Sequence, residues 1–79
     1  MRRITELELM KEFGDNLKDI MDDYQMTQKE LADITGMSAS AVSRYIHGQR
    51  MPTLKTLINI VNALECDVDE LVNFDYFVE

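Results

Sequence analysis

The apolar positions of the chain fall into five stretches of helical spacing followed by a change of period. Leu17, Ile20, Met21 and Tyr24 recur at intervals of three and four, and with Phe13 they predict an amphipathic helix from about Lys11 to about Tyr24. Ile4, Leu7 and Met10 either carry that helix backward past Gly14 or form a separate arm. Thr27 and Glu30 are spaced as a capping box, in which the hydroxyl accepts from the Glu30 N–H and the carboxylate reaches back to the cap. A second helix therefore starts at Gln28, with Leu31, Ala32 and Ile34 as its apolar positions and Gly36 as its stop. Ser38 can cap a third helix, Ala39 to about Ile46, that turns Val42, Tyr45 and Ile46 inward and closes at His47-Gly48. Pro52-Thr53 opens a fourth, with the stripe Leu54, Leu57, Ile58, Val61 and Leu64, and "DVDELV" makes a short fifth. In "VNFDYFVE", Val72, Phe74, Tyr76 and Val78 alternate with Asn73, Asp75, Phe77 and Glu79, the pattern of a strand with one buried face or of an extended tail. Met26, Met37 and Cys66 are expected to pack in the core with Leu57 and Val61.

At 79 residues the chain reads as one domain, with a core at about 11–72, an N-terminal extension at 1–10 and a C-terminal tail at 73–79. The predicted fold class is all-α, a compact five-helix bundle. No apolar run approaches the roughly 18 residues that span a membrane, which predicts a protein without a membrane partner. One cysteine and one histidine, in different predicted elements, offer neither a disulfide nor a metal or nucleophile cluster. No cofactor, no small-molecule ligand and no enzymatic activity are expected, and the lone thiol fits a reducing, cytoplasmic setting.

The formal charge is −7, which argues at first against a polyanionic partner, but its distribution matters more than its total. Residues 1–25 sum to −3, residues 26–64 to +2 and residues 65–79 to −6. The middle of the chain is basic.

The middle also carries a helix-turn-helix pattern. Two helices joined by a three-residue turn cross closely, which requires a small residue in the first, Gly at the turn and an apolar lock in the second. Counted from Gln28, Ala32 is fifth, Gly36 ninth and Val42 fifteenth, with Leu31, Met37 and Tyr45 completing the packing. On "FGDNLKDIMDDYQMTQKELADITGMS" and "SAVSRYIHGQRMPTLKTLINIVNALECDVDELV", about Phe13 to Val72, the chain resembles the phage-repressor-like (Xre-type) helix-turn-helix family. The resemblance implies a lambda-repressor-like five-helix DNA-binding domain and a regulator, usually a repressor, that binds a double-stranded DNA operator as a homodimer. Three positions depart from the family pattern. Gln25 and Glu65 stand where Gly or Asn often ends a helix, and Ile34 is apolar where a polar residue is usual.

In that geometry the second helix of the motif enters the major groove with its N-terminal outward residues at base edges. Ala39, Ser40, Ser43 and Arg44 are the expected base contacts; Arg44 can bond guanine bidentately. Gln28, at a helix N-terminus where backbone N–H groups favour an anion, is an expected phosphate contact, as are Ser38, His47, Gln49, Arg50 and Lys55. A dimer interface is expected outside the five helices. "VNFDYFVE" either pairs with its copy across a two-fold axis or folds its aromatics back onto the first helix. Other readings of the same fold are a protein-binding module, and the antitoxin of a toxin–antitoxin pair.

Overall fold

The computed structural model describes residues 2–79. In chain order its elements are β1 (Arg2–Ile4), α1 (Glu6–Asp23), α2 (Gln28–Thr35), α3 (Ala39–Ile46), α4 (Leu54–Leu64), α5 (Val68–Leu71) and β2 (Tyr76–Val78). The five predicted helices are present, in a lambda-repressor-like arrangement in which α1 packs on α3, α2 on α3 and α4, and α5 closes against α1 and α4.

Local hydrogen bonds set most helix starts. Thr27 Oγ1 accepts from the Glu30 N–H at 3.1 Å and the Thr27 N–H donates to Glu30 Oε1 at 3.0 Å, completing the expected box. A second box, Thr5 with Glu8, starts α1 at Glu6 rather than at about Lys11, so the helix does run backward through Gly14. In both boxes the backbone and hydroxyl of the threonine hold the glutamate carboxyl below its ordinary value. Ser38 caps α3 and Thr53 caps α4, each hydroxyl accepting from the N–H three residues on.

Three helices end in the same six-residue closure. After α1, the Met26 N–H donates to the Met21 carbonyl and the Gln25 N–H to that of Asp22; Gln49 to Arg44 and Gly48 to Tyr45 do this after α3, and Cys66 to Val61 and Glu65 to Asn62 after α4. The residue at the bend is left-handed, with φ of 54° at Gln25, 68° at Gly48 and 51° at Glu65. Two of the three departures from the family pattern, Gln25 and Glu65, are thus left-handed residues that carry a β-carbon. The closure after α1 leaves Tyr24 exposed, although the helical spacing had put it on the buried face, because the chain turns away there and Met26 covers the core instead.

The core joins Phe13, Leu17 and Met21 of α1, Leu31 and Ala32 of α2, Val42, Tyr45 and Ile46 of α3, and Ile60, Leu64 and Leu71 beyond them. Phe13 meets Tyr45 edge-on, with ring centroids 6.2 Å apart. Met26, Met37, Leu57, Val61 and Cys66 are half-buried around this cluster rather than at its centre. The expected α4 stripe needs correction: Ile60 is fully buried, whereas Leu54 and Ile58 face outward. The seven apolar positions of α4 suit more than one rotation, and packing on α2 and α5 selects the face of Leu57, Ile60 and Leu64.

Both chain ends join one parallel two-stranded ribbon, in register Arg2 with Tyr76, Arg3 with Phe77 and Ile4 with Val78. Ile4 is buried; Phe74, Phe77 and Val78 are exposed. The tail strand therefore has its partner within the chain. Tyr76 hydrogen-bonds to the first helix, its hydroxyl donating to Glu12 Oε1 at 3.2 Å and accepting from Arg2 at 3.1 Å. Asn16 of α1 donates to the Leu71 carbonyl at 3.0 Å and fixes the segment that precedes the tail.

Candidate DNA interface

The geometry of the site begins with the close approach of α1 to α3. A β-carbon at Gly14 would lie 2.5 Å from the Ile46 carbonyl oxygen and would also strike that of Tyr45. Glycine here lets the two backbones touch, which sets the tilt of α3. On α3 itself, Val42, Tyr45 and Ile46 are buried, so Ala39, Ser40 and Arg44 stand on the outer side and Ser43 is half-buried at its margin. Ser38 Oγ accepts from the Ala41 N–H at 3.0 Å, which leaves its own hydroxyl proton free to donate.

His47 closes the helix. Its Nδ1 sits 2.7 Å from the Ser43 carbonyl oxygen and 3.3 Å from the Ser43 hydroxyl. A carbonyl oxygen can only accept, so Nδ1 carries a proton, and Nε2 faces an outside partner as an acceptor in the neutral ring and as a donor to an anion only in the doubly protonated one. Gln49 is exposed, with its N–H donating to the Arg44 carbonyl at 2.9 Å, which ties the following loop to the helix. The Arg50 guanidinium lies 5.9 Å from the centroid of the Tyr45 ring, a cation–π placement that holds it near the C-terminal end of α3.

Gln28 is the first residue of α2 and is exposed. A groove of about 540 Å³ brings it together with Ile46, His47 and Gly48 and with Leu7, Lys11, Asp15 and Lys18 of α1. Lys55 stands apart, in the first turn of α4, and among the described residues no hydrogen bond, ion pair or shared groove links it to the other candidates. The structure thus gathers Ala39, Ser40, Ser43, Arg44 and His47 on one helix face, places Gln28 beside His47 and Arg50 behind Tyr45, and leaves Lys55 separate.

Lys11 and Lys18 are the residues that charge counting by segment overlooked, since it placed them in the acidic N-terminal stretch. Their separation of seven on a single helix was the available signal, because two turns return to the same face. Each is paired with the acid four residues on, Lys11 with Asp15 at 3.0 Å and Lys18 with Asp22 at 3.1 Å. By contrast, among the described residues Arg44, Arg50 and Lys55 form no ion pair, and no Asp or Glu occurs anywhere from Ile34 to Leu64.

Cys66 offers no reactive site: burial pushes its thiol above the ordinary value, and Glu70 adds to the shift. Among the described residues no group of three His, Cys, Asp or Glu side chains is placed to hold a metal ion, and no helix is long and apolar enough to cross a membrane.

Residues 17–71 match the helix-turn-helix family designated HTH_3. The helix-turn-helix-type transcriptional regulator YqaE of Bacillus subtilis is 40% identical over 60 residues, which cover 76% of this chain and 52% of YqaE. The transcriptional repressor RstR of the cryptic phage CTXphi of Vibrio cholerae is 40% identical over 45 residues, 57% of this chain and 40% of RstR. The chain therefore spans about half or less of these curated relatives. The restriction-modification controller protein C.AhdI of Aeromonas hydrophila superposes with a TM-score of 0.75 at 27% identity, covering 78% of this chain and 94% of that one.

Proposed function

Because the chain belongs to the HTH_3 helix-turn-helix family, whose members are DNA-binding transcriptional regulators, we propose that it is a sequence-specific repressor that grips a double-stranded operator as a homodimer in the cytoplasm. The observation that carries this reading is the set of exposed, internally unpaired cations, Arg44, Arg50 and Lys55, within a stretch free of acids in an otherwise acidic protein. An unpaired cation gains more from a phosphate or a guanine edge than one already held by a carboxylate.

In this reading α3 lies in the major groove. Arg44 reads guanine, Ser40 and Ser43 donate to base edges and Ala39 meets a thymine methyl. Gln28, Ser38, His47, Gln49, Arg50 and Lys55 hold phosphates and fix the register, with the α2 dipole assisting Gln28. Residues 1–79 act as a single domain whose core runs over about 11–72. The acidic flanks do little harm at contact range, since salt screens exposed charges beyond about 8–10 Å.

Lys11 and Lys18 are balanced by Asp15 and Asp22, so each subunit brings only about three or four phosphate-neutralising groups. A dimer doubles that number and gives a log–log salt slope of about −5 to −7. The names of the relatives favour repression: RstR is a transcriptional repressor, and YqaE a transcriptional regulator.

The test is fluorescence anisotropy on labelled duplexes enriched from a random pool. Tight, salt-sensitive binding to a two-half-site sequence, weakened by Arg44→Ala, is the expected result. Affinity that Arg44→Ala leaves unchanged on every enriched sequence would refute the reading.

A further inference from the structure

His47 is the only histidine in the chain, and histidine is the side chain type whose charge ordinarily changes between about pH 5 and 8. Its ring is fixed at the C-terminal end of α3. The His47 backbone N–H donates to the Ser43 carbonyl at 3.0 Å, and Nδ1 approaches the same oxygen at 2.7 Å. The next residue, Gly48, is seated on α1 so closely that a β-carbon there would lie 3.0 Å from the Lys11 Cα. The helix end and α1 together hold the imidazole at the wall of the groove that also contains Gln28.

That placement makes the neutral ring a poor partner for DNA. With its proton on Nδ1, a neutral imidazole presents only a lone pair at Nε2, and a phosphate oxygen is itself an acceptor. The other neutral tautomer would turn a lone pair toward the Ser43 carbonyl at 2.7 Å and forfeit that hydrogen bond. Only the doubly protonated ring serves both sides, with Nδ1–H donating to Ser43 and Nε2–H making a charge-assisted bond to a phosphate. The surrounding charges leave that second bond open. From α1, Lys11, Asp15 and Lys18 line the groove and Asp22 the adjoining one, but they stand as pairs, Lys11 with Asp15 and Lys18 with Asp22. α2 contributes the neutral Gln28, and α3 and the loop after it add two cations, Arg44 and Arg50. Among the described residues Ser43 is the ring's one hydrogen-bond partner.

We propose that operator binding takes up a proton at His47, so that affinity for DNA rises as the pH falls through the histidine range. The proposal rests on the reading of α3 and Gln28 as a DNA interface and adds a regulation to it. A phosphate oxygen against Nε2 favours the charged ring in the complex, whereas in the free protein the ring is exposed. Acidification therefore strengthens binding until the free ring is itself protonated, and raising the pH weakens it until the ring is neutral in the complex as well. With ring and phosphate coupled by about tenfold, the lower end for opposite charges in contact, each half-site binds about fivefold tighter at pH 6 than at pH 8. Two half-sites, with one ring each, give about twenty-five-fold. Carboxylates and DNA phosphates ordinarily stay ionised across that window, and the Cys66 thiol, pushed up by burial, stays protonated.

Fluorescence anisotropy on the full chain at pH 6, 7 and 8 and fixed ionic strength tests this, using the enriched duplex and a version with one half-site. The comparison is with His47→Gln, whose amide donates to a phosphate at every pH. The expected result is a wild-type gain of about fivefold on one half-site between pH 8 and 6, and less than about twofold for His47→Gln. NMR of the wild type needs no variant, because a single histidine gives a single ring Cε1–H signal. Its titration midpoint should move up by about one pH unit when the duplex is added. Equal pH dependence in wild type and His47→Gln, or a midpoint that the duplex leaves unchanged or lowers, overturns the proposal. Arg44→Ala keeps the two readings apart. Binding that Arg44→Ala weakens but that shows no His47-dependent pH effect sinks the proton linkage alone. Binding that Arg44→Ala leaves unchanged on every enriched sequence defeats the DNA reading and the linkage with it.

Discussion

Replacing Gly14 by Ala sets helix propensity directly against tertiary packing. Gly14 lies in the middle of α1, where Ala is intrinsically better by about 1 kcal/mol. The added β-carbon, however, would lie 2.5 Å from the Ile46 carbonyl oxygen and 2.9 Å from the Ile46 carbonyl carbon, and it would strike the Tyr45 carbonyl oxygen as well. All of these are backbone atoms in the last turn of α3, and the Tyr45 carbonyl is further held by the Gly48 N–H at 3.1 Å. No side chain can swing aside, so α1 and α3 must separate by about half an ångström or more. Overpacking of this kind costs about 1–3 kcal/mol, and immovable backbone puts the cost at the upper end. Set against the propensity gain, the net destabilisation is about 2 kcal/mol. For a domain of this size that lowers Tm by roughly 8–16 °C, read by thermal unfolding in far-UV circular dichroism. Gly36→Ala is the control, because nothing lies within 4 Å of its β-carbon and only its φ of 76° opposes the substitution, at about 1 kcal/mol. A Gly14→Ala protein as stable as the wild type, or more stable, would refute the claim that this contact sets the α1–α3 approach.

Three further outcomes follow from other parts of the structure. Glu65→Gly relieves a left-handed residue that carries a β-carbon and should stabilise by up to about 1 kcal/mol, less the added freedom of the unfolded chain, seen as a Tm higher by a few degrees. Arg44→Ala should weaken operator binding by about 1–3 kcal/mol and relax selection at one base position, as measured by anisotropy on single-base variants of the enriched site. Glu8 and Glu30 have folded-state carboxyl values held below the ordinary 4.5 by their threonine caps, so their capping contribution is fully present above that pH and is lost as pH falls through the lowered values. Glu30→Gln keeps the cap geometry without the titration, and its thermal stability should fall less than that of the wild type between pH 5 and more acidic conditions.

What the sequence determined by itself is what local contacts determine. Whereas Gln25 and Glu65 take left-handed bends that their own residue types disfavour, the Thr27–Glu30 box and the Ser38 cap each close through hydrogen bonds spanning three residues, so their residue types specify them without reference to the rest of the chain. The same holds for the outward face of α3, because burial of Val42, Tyr45 and Ile46 leaves Arg44 and Ser40 no other side. Tertiary structure decided everything that depended on a distant partner. α4 is apolar around much of its circumference, and only its packing on α2 and α5 chose Ile60 for the core and left Leu54 and Ile58 outside. The alternation in the tail signalled a strand but not its partner, since β2 pairs along one edge with β1, more than seventy residues earlier. The groove that sets Lys11 and Lys18 beside Gln28 and His47 likewise exists only once α1 crosses α3 at Gly14. Side-chain pattern encodes which face a residue occupies; which neighbours meet that face is settled by how the helices cross.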